Sequence, residues 1–156
     1  MNKLLVSDVT REYPGGVFAL SGVSFEVVKG DIAVVVGPSG SGKTTLLNIL
    51  GLLDRPTRGS VFMDGLDLTH LGEKEAARIM NASFGFIFQF FYLIPELTVI
   101  ENVMLPLWIR DKTSLKLKNY RVQAEFLLDE FGMSGRRDFY PSQLSGGEKQ
   151  RVAVVR

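Results

Sequence analysis

The sequence predicts an α/β fold, and three observations carry that prediction. Residues 32–36, Ile-Ala-Val-Val-Val, form an apolar, β-branched run without polar alternation. That pattern suits a strand covered on both faces, as in a parallel sheet. A glycine-rich loop follows directly, and a helix is predicted from about Gly42 to Leu50, with Gly51 as its stop signal. A second buried run, residues 84–88, comes after a short helix predicted over 73–80. Strands and helices in alternation mark this class of fold.

The flanking elements read as follows. Residues 3–10 and 17–28 are predicted strands around a Tyr13-Pro14-Gly15-Gly16 turn. Val23, Phe25 and Val27 alternate with Ser24, Glu26 and Val28, as a half-buried strand requires. Residues 59–64 form a further strand entering an Asp64-Gly65 hairpin turn. From Phe90 the texture changes: Pro95, Pro106 and Trp108 sit among apolar residues, and a helix is predicted over 114–131. Its apolar stripe is Tyr120, Ala124, Leu127, Leu128 and Phe131. Lys112, Lys116, Lys118 and Arg121 read as its solvated face. Ser145-Gly146-Gly147-Glu148 has the Ser-x-x-Glu form of a capping box, so another helix starts there with Val152 and Val155 turned inward.

Composition narrows the function classes. The chain has 156 residues, with 18 Lys and Arg against 17 Asp and Glu, a net charge of +1. A dedicated nucleic-acid binder shows a basic excess, so nucleic acid is not an expected partner. With 46% hydrophobic and 22% charged residues the chain is globular rather than disordered. The absence of Cys excludes a disulfide scaffold, a thiolate metal site and a Cys nucleophile. The single His70, read as a loop residue, excludes a site needing two imidazoles. Residues 4–6 are too few for a signal-peptide core. The uncharged stretch 79–95 contains Asn81, Ser83, Gln89 and Pro95, and reads as a buried strand followed by an apolar loop rather than a span.

Two motifs carry chemistry. Gly37-Pro38-Ser39-Gly40-Ser41-Gly42-Lys43-Thr44 matches G-x-x-x-x-G-K-[ST] in full, between the predicted strand and helix. Small residues let the backbone curl so that successive N–H groups converge on phosphate oxygens. The helix start aims its unpaired N–H groups and dipole at the same place. Lys43 supplies a mobile charge for the β and γ phosphates, and Thr44 a hydroxyl for Mg²⁺. Thr45 reads equally as a ligand or as a plain helix residue. This loop alone names only a nucleoside triphosphate. The second motif, Leu144-Ser145-Gly146-Gly147-Glu148, is a second anion site by chemistry: two glycines and a Ser hydroxyl at a helix start.

Leu144–Glu148 resembles the signature sequence of the ATP-binding cassette (ABC) family, with Glu148 where Gln is common. The resemblance covers residues 4–156 and implies a P-loop NTPase fold. It comprises an N-terminal antiparallel β subdomain with the phosphate-loop core (1–89), a helical subdomain (90–142), and the signature with the start of its helix (143–156). It further implies ATP and Mg²⁺ as ligands, with Gln89 as the glutamine that reaches Mg²⁺ and senses a membrane partner. Tyr13 is placed to stack on adenine; the alternatives are a turn Tyr packing on the sheet edge, or Phe18 in that role. The signature of one subunit closes over the γ-phosphate held by a second, so a head-to-tail dimer of ATP-binding domains is implied. Residues 48–54 and 97–103 resemble the lipoprotein-releasing and macrolide-efflux branch of bacterial exporters. The function implied is ATP-driven transport by a transmembrane permease subunit, from the cytoplasmic face of the inner membrane. The alternative is a division-type membrane regulator that moves no substrate. In that family a short helix of the membrane subunit meets the loop after Gln89. Phe91 and Tyr92 read equally as its anchors or as subdomain core, and Trp108 reads as core.

The family's Mg²⁺-holding Asp, general-base Glu and γ-phosphate His lie on segments after the signature helix. No position up to Arg156 matches them. The sequence is therefore expected to be a partial domain with its C-terminal part missing, inactive in hydrolysis by itself. A missing neighbour strand is expected to leave the surface of residues 32–36 exposed.

Overall fold

The computed structural model describes residues 3–110 and 114–156, with the side chains of 114–118 outside that description. Lys112, and the side chains of Lys116 and Lys118, therefore lie outside the described residues; Arg121 is exposed, as a solvated face requires. The chain divides into two compact units, Met1–Phe84 and Gly85–Arg156.

The first unit is built on an antiparallel sheet. Strands β1 (Lys3–Tyr13) and β2 (Val17–Val28) form a hairpin closed by the Pro-Gly-Gly turn, with Tyr13 opposite Val17. Strands β3 (Arg58–Met63) and β4 (Leu66–Asp67) form a second hairpin over Asp64-Gly65, and the sheet order is β2-β1-β3-β4. The period-2 pattern of β2 is observed: Val23, Phe25 and Val27 are half-buried, while Ser24, Glu26 and Val28 are exposed. β1 breaks register around Asp8, which sits at φ 51° and donates its N–H to the Ser24 hydroxyl at 2.8 Å. That side-chain acceptor replaces the ladder bond the irregularity removes. Helices α1 (Lys43–Leu50) and α2 (Glu73–Ser83) cover the sheet. Val6, Val9, Leu20, Leu46, Ile49, Val61, Leu68, Leu71 and Ile79 bury together between them.

Residues 32–36 and 84–88 are not strands, which corrects the sequence-based expectation. The β2-β1-β3-β4 sheet is the sheet among the described residues, and neither segment belongs to it. Ile32 is 94% exposed, Val34 76% and Val36 83%. A strand exists only through lateral pairing of its N–H and C=O groups. The β-branched composition shows what the segment is fit to bury, and the described residues set no neighbour beside it. The exposed Val-rich surface is the outcome expected for such a segment.

The second unit is helical. α3 (Val99–Arg110), α4 (Ser114–Glu130) and α5 (Gly146–Val155) pack around Val99, Val103, Met104, Tyr120, Ala124, Leu128 and Val152. Two short 3₁₀ turns, Ser134–Arg136 and Pro141–Gln143, lead from α4 to α5. The inward stripe of α4 is narrower than expected. Tyr120, Ala124 and Leu128 are buried, whereas Leu127 and Phe131 are exposed on its flank. α3 runs through Pro106, so the proline's missing N–H hid it from the sequence pattern. Its start is built by Thr98 and Glu101: the carboxylate accepts from the Thr98 N–H and hydroxyl, both at 2.8 Å, as in a capping box. Those two bonds hold the Glu101 carboxyl below its ordinary pKa. Asn102, fully buried, fastens the preceding loop. Its amide donates to the carbonyls of Ile94, Leu97 and Thr98, and its oxygen accepts from the Ile94 N–H.

Candidate functional site

The phosphate loop of the first unit is a cradle whose shape depends on two glycines. Gly42 caps α1 at φ 86°, the left-handed region that favours glycine. A Cβ there would lie 2.2 Å from the Ala19 carbonyl oxygen on β2, so no side chain fits. At Gly37 a Cβ would lie 2.7 Å from the Ser41 hydroxyl oxygen. Pro38, Ser39 and Gly40 are exposed along the rim. Inside the curl the Lys43 ammonium donates to the carbonyls of Gly37 at 2.9 Å and Pro38 at 2.6 Å, and to the Ser41 hydroxyl at 3.4 Å. The loop thus holds its cation at its own centre. α1 carries no side-chain cap, so no side chain takes the N–H groups of its first turn. Thr44 is exposed and Thr45 half-buried beside them. A tight cradle with a central cation and an uncapped helix start fits a polyphosphate. Among the described residues no cluster of three His, Asp or Glu could hold a metal. A hydroxyl such as that of Thr44, with oxygens brought by the polyphosphate itself, is the kind of set Mg²⁺ accepts.

Tyr13 is more committed than its sequence position implied. Its hydroxyl donates to Asp54 Oδ2 at 3.0 Å, and the Arg11 guanidinium lies 4.6 Å from its ring centre. Arg11 also pairs with Asp54 at 2.8 Å, so the three form one half-buried cluster. One face of the Tyr13 ring is therefore covered. Phe18, on β2, is 58% exposed. His70 is exposed in the loop before α2, as read from the sequence.

In the second unit the signature is built from the capping box. Leu144 is buried and anchors the turn in the helical core, while Ser145, Gly146 and Gly147 are exposed at the start of α5. Ser145 Oγ accepts the Glu148 N–H at 3.3 Å. Glu148 Oε2 accepts from the Ser145 N–H at 2.8 Å and from its hydroxyl at 2.7 Å. The other oxygen, Oε1, accepts from Arg136 Nε at 2.9 Å. These donors, Ser145 first and Arg136 after it, draw the Glu148 pKa down to about 2. Arg136 went unnoticed in the sequence because nothing in a 12-residue separation marks an ion pair.

Gln89 is exposed in the loop at the head of this unit. The aromatics around it form a partial stack: Phe86 on Phe88 at 5.6 Å, and Phe88 edge-on to Tyr92 at 5.2 Å. Phe90 and Tyr92 are 69% and 63% exposed. Phe91 is half-buried. Tyr92 thus leaves the core reading, while Trp108 packs partly buried against the helical core as expected. The carbonyls of Phe91 and Tyr92 accept from Arg156 at 3.3 Å and 2.6 Å, which fixes the loop backbone.

A curled phosphate loop with a signature-type helix start is the equipment of an ATP-binding cassette. Residues 20–156 match the ABC transporter family, and the chain belongs to it. It is 44% identical over 156 residues to the lipoprotein-releasing system ATP-binding protein LolD of Aquifex aeolicus, covering 100% of this chain and 68% of that protein. LolD of Shewanella frigidimarina is 48% identical over 158 residues, covering 98% of this chain and 64% of the relative. Among solved structures, the dimeric ATP-binding cassette MJ0796, in a post-hydrolysis state bound to ADP and Pi, superposes with a TM-score of 0.88 at 38% identity. That match covers 97% of this chain and 67% of the other. The chain thus spans about two thirds of the length of these relatives.

Proposed function

We propose that this chain is the ATP-binding part of a transport ATPase of the lipoprotein-releasing type. The observation that carries the reading is the Lys43 ammonium seated among the carbonyls of Gly37 and Pro38 in a loop whose close approach to β2 at Gly42 leaves no room for a Cβ. In this reading residues 37–44 and Thr45 hold the phosphates of ATP: backbone N–H groups orient the oxygens, and Lys43 exchanges loop carbonyls for them. Bound Mg²⁺ supplies charge neutralisation between phosphate oxygens, and Thr44 offers it a hydroxyl. Tyr13 stacks on the base with the ring face away from Arg11; Phe18 is the alternative surface.

Leu144, Ser145, Gly146, Gly147 and Glu148 then serve the nucleotide of a second cassette in a head-to-tail pair. The dimeric form of MJ0796 supports that pairing. Gln89 is proposed to reach Mg²⁺ and to sense a transmembrane permease, and exposed Phe90 and Tyr92 supply the contact surface. No helix among the described residues is long and apolar enough to cross a membrane. The proposed place is peripheral, on the cytoplasmic face of the inner membrane. The names of the relatives support ATP-driven release of lipid-anchored proteins over the regulator reading.

Calorimetric titration of the chain with Mg-ATP tests the proposal. Saturable binding is expected, weakened about tenfold to a hundredfold by Lys43→Ala, the range for losing charge-assisted hydrogen bonds. Equal affinity in the variant would refute it.

A further inference from the structure

The signature of this chain holds a fixed negative charge where an anion is to arrive. Glu148 lies in the first turn of α5, the same turn that presents the N–H groups of Gly146 and Gly147. Its carboxylate is fastened there, because Oε2 accepts from the Ser145 N–H and hydroxyl at 2.8 and 2.7 Å. A phosphate entering beside it meets a like charge, which opposes binding. The same carboxylate also takes the Ser145 hydroxyl hydrogen, the donor a phosphate oxygen would use.

We propose that Arg136 is the charge-compensating and positioning residue of this anion site. This inference rests on the reading that the signature receives a nucleotide phosphate. The guanidinium bonds Glu148 Oε1 at 2.9 Å, on the side of the carboxylate away from Ser145. It neutralises the local charge, so the amides of α5 keep their attraction for an anion. It bonds the second carboxylate oxygen while Oε2 keeps the Ser145 N–H and hydroxyl, so both oxygens of Glu148 are engaged and its charge is held away from an arriving anion. Arg136 is set for this role rather than loosely tethered. It ends the 3₁₀ turn Ser134–Arg136, its N–H donates to the carbonyl of buried Met133 at 2.9 Å, and its guanidinium lies 4.8 Å from the Phe139 ring centre. A neutral Gln at position 148 would need no such partner. Arg136 and Glu148 therefore act as one unit.

The test is a double-mutant cycle on the chain, read in ¹H–¹⁵N spectra during titration with inorganic tripolyphosphate. The amides of Gly146 and Gly147 report the signature, and those of residues 39–45 report the phosphate loop separately. Arg136→Ala is expected to weaken the Gly146 and Gly147 response about fivefold, the scale of one partly screened charge pair. Arg136→Lys should retain most of the affinity. Glu148→Gln should restore it in the Arg136→Ala background, which a purely structural role would not do. Equal affinity of wild type and Arg136→Ala, or failure of that restoration, overturns the proposal. Silence of Gly146 and Gly147 in every variant, Glu148→Gln included, overturns the underlying anion-site reading instead.

Discussion

Gly42→Ala should damage both the fold and the nucleotide site, and its cost follows from the structure. The residue sits at φ 86°, where an L side chain costs about 1–2 kcal/mol. The added Cβ would lie 2.2 Å from the Ala19 carbonyl oxygen and 3.0 Å from Leu20 Cδ2. The first neighbour is strand backbone and cannot rotate away, so overpacking adds about 1–3 kcal/mol. The sum, about 2–5 kcal/mol, is a large share of a domain's stability. Urea unfolding followed by circular dichroism, with Mg-ATP affinity measured on the folded fraction, gives both consequences. Gly40→Ala is the control: at φ 79° it carries the backbone cost, but its Cβ would meet open space. It should lose only about 1–2 kcal/mol. If Gly42→Ala unfolds at the same urea concentration as Gly40→Ala and binds Mg-ATP like wild type, the close-approach argument is wrong.

Two further outcomes follow from the helical unit. Asn102→Ala removes four hydrogen bonds from a fully buried side chain and leaves the backbone groups of Ile94, Leu97 and Thr98 without it. A loss of about 2–4 kcal/mol is expected in urea unfolding, and a loss under 1 kcal/mol would show that water replaces the side chain. The Glu148 carboxyl, with a folded pKa near 2 against an ordinary 4.5, should add stability that is complete above pH 4.5 and lost as pH falls toward 2. Glu148→Gln should flatten that part of the stability profile. A carboxyl carbon signal titrating near 4.5 would contradict the assigned bonds.

What the sequence made legible was local. The phosphate loop, the Ser145–Glu148 capping box, the alternation through Val23, Phe25 and Val27, and the Asp64-Gly65 turn are set by short-range rules of spacing and conformation. Contacts that close over long separations stayed hidden. Tyr13 meets Asp54 across 41 positions, and no local pattern announces that hydrogen bond. Arg136 and Glu148 are similar. α3 was masked by Pro106, although Thr98 and Glu101 have the Thr-x-x-Glu spacing of a capping box at its start. The run 32–36 failed for a different reason. Its residues state a capacity to pair and bury, and pairing is a property of what lies alongside. Leu127 and Phe131 show the same limit on α4: apolar spacing gives the width a face can have, and packing decides how much of it is covered.

The central claim is that the backbone around Lys43 grips a triphosphate. Amide chemical shifts of the chain during a Mg-ATP titration test it most directly. The account predicts saturable shifts concentrated in residues 39–45, abolished by Lys43→Ala. A folded chain whose amides in that segment stay unmoved at saturating Mg-ATP would contradict it.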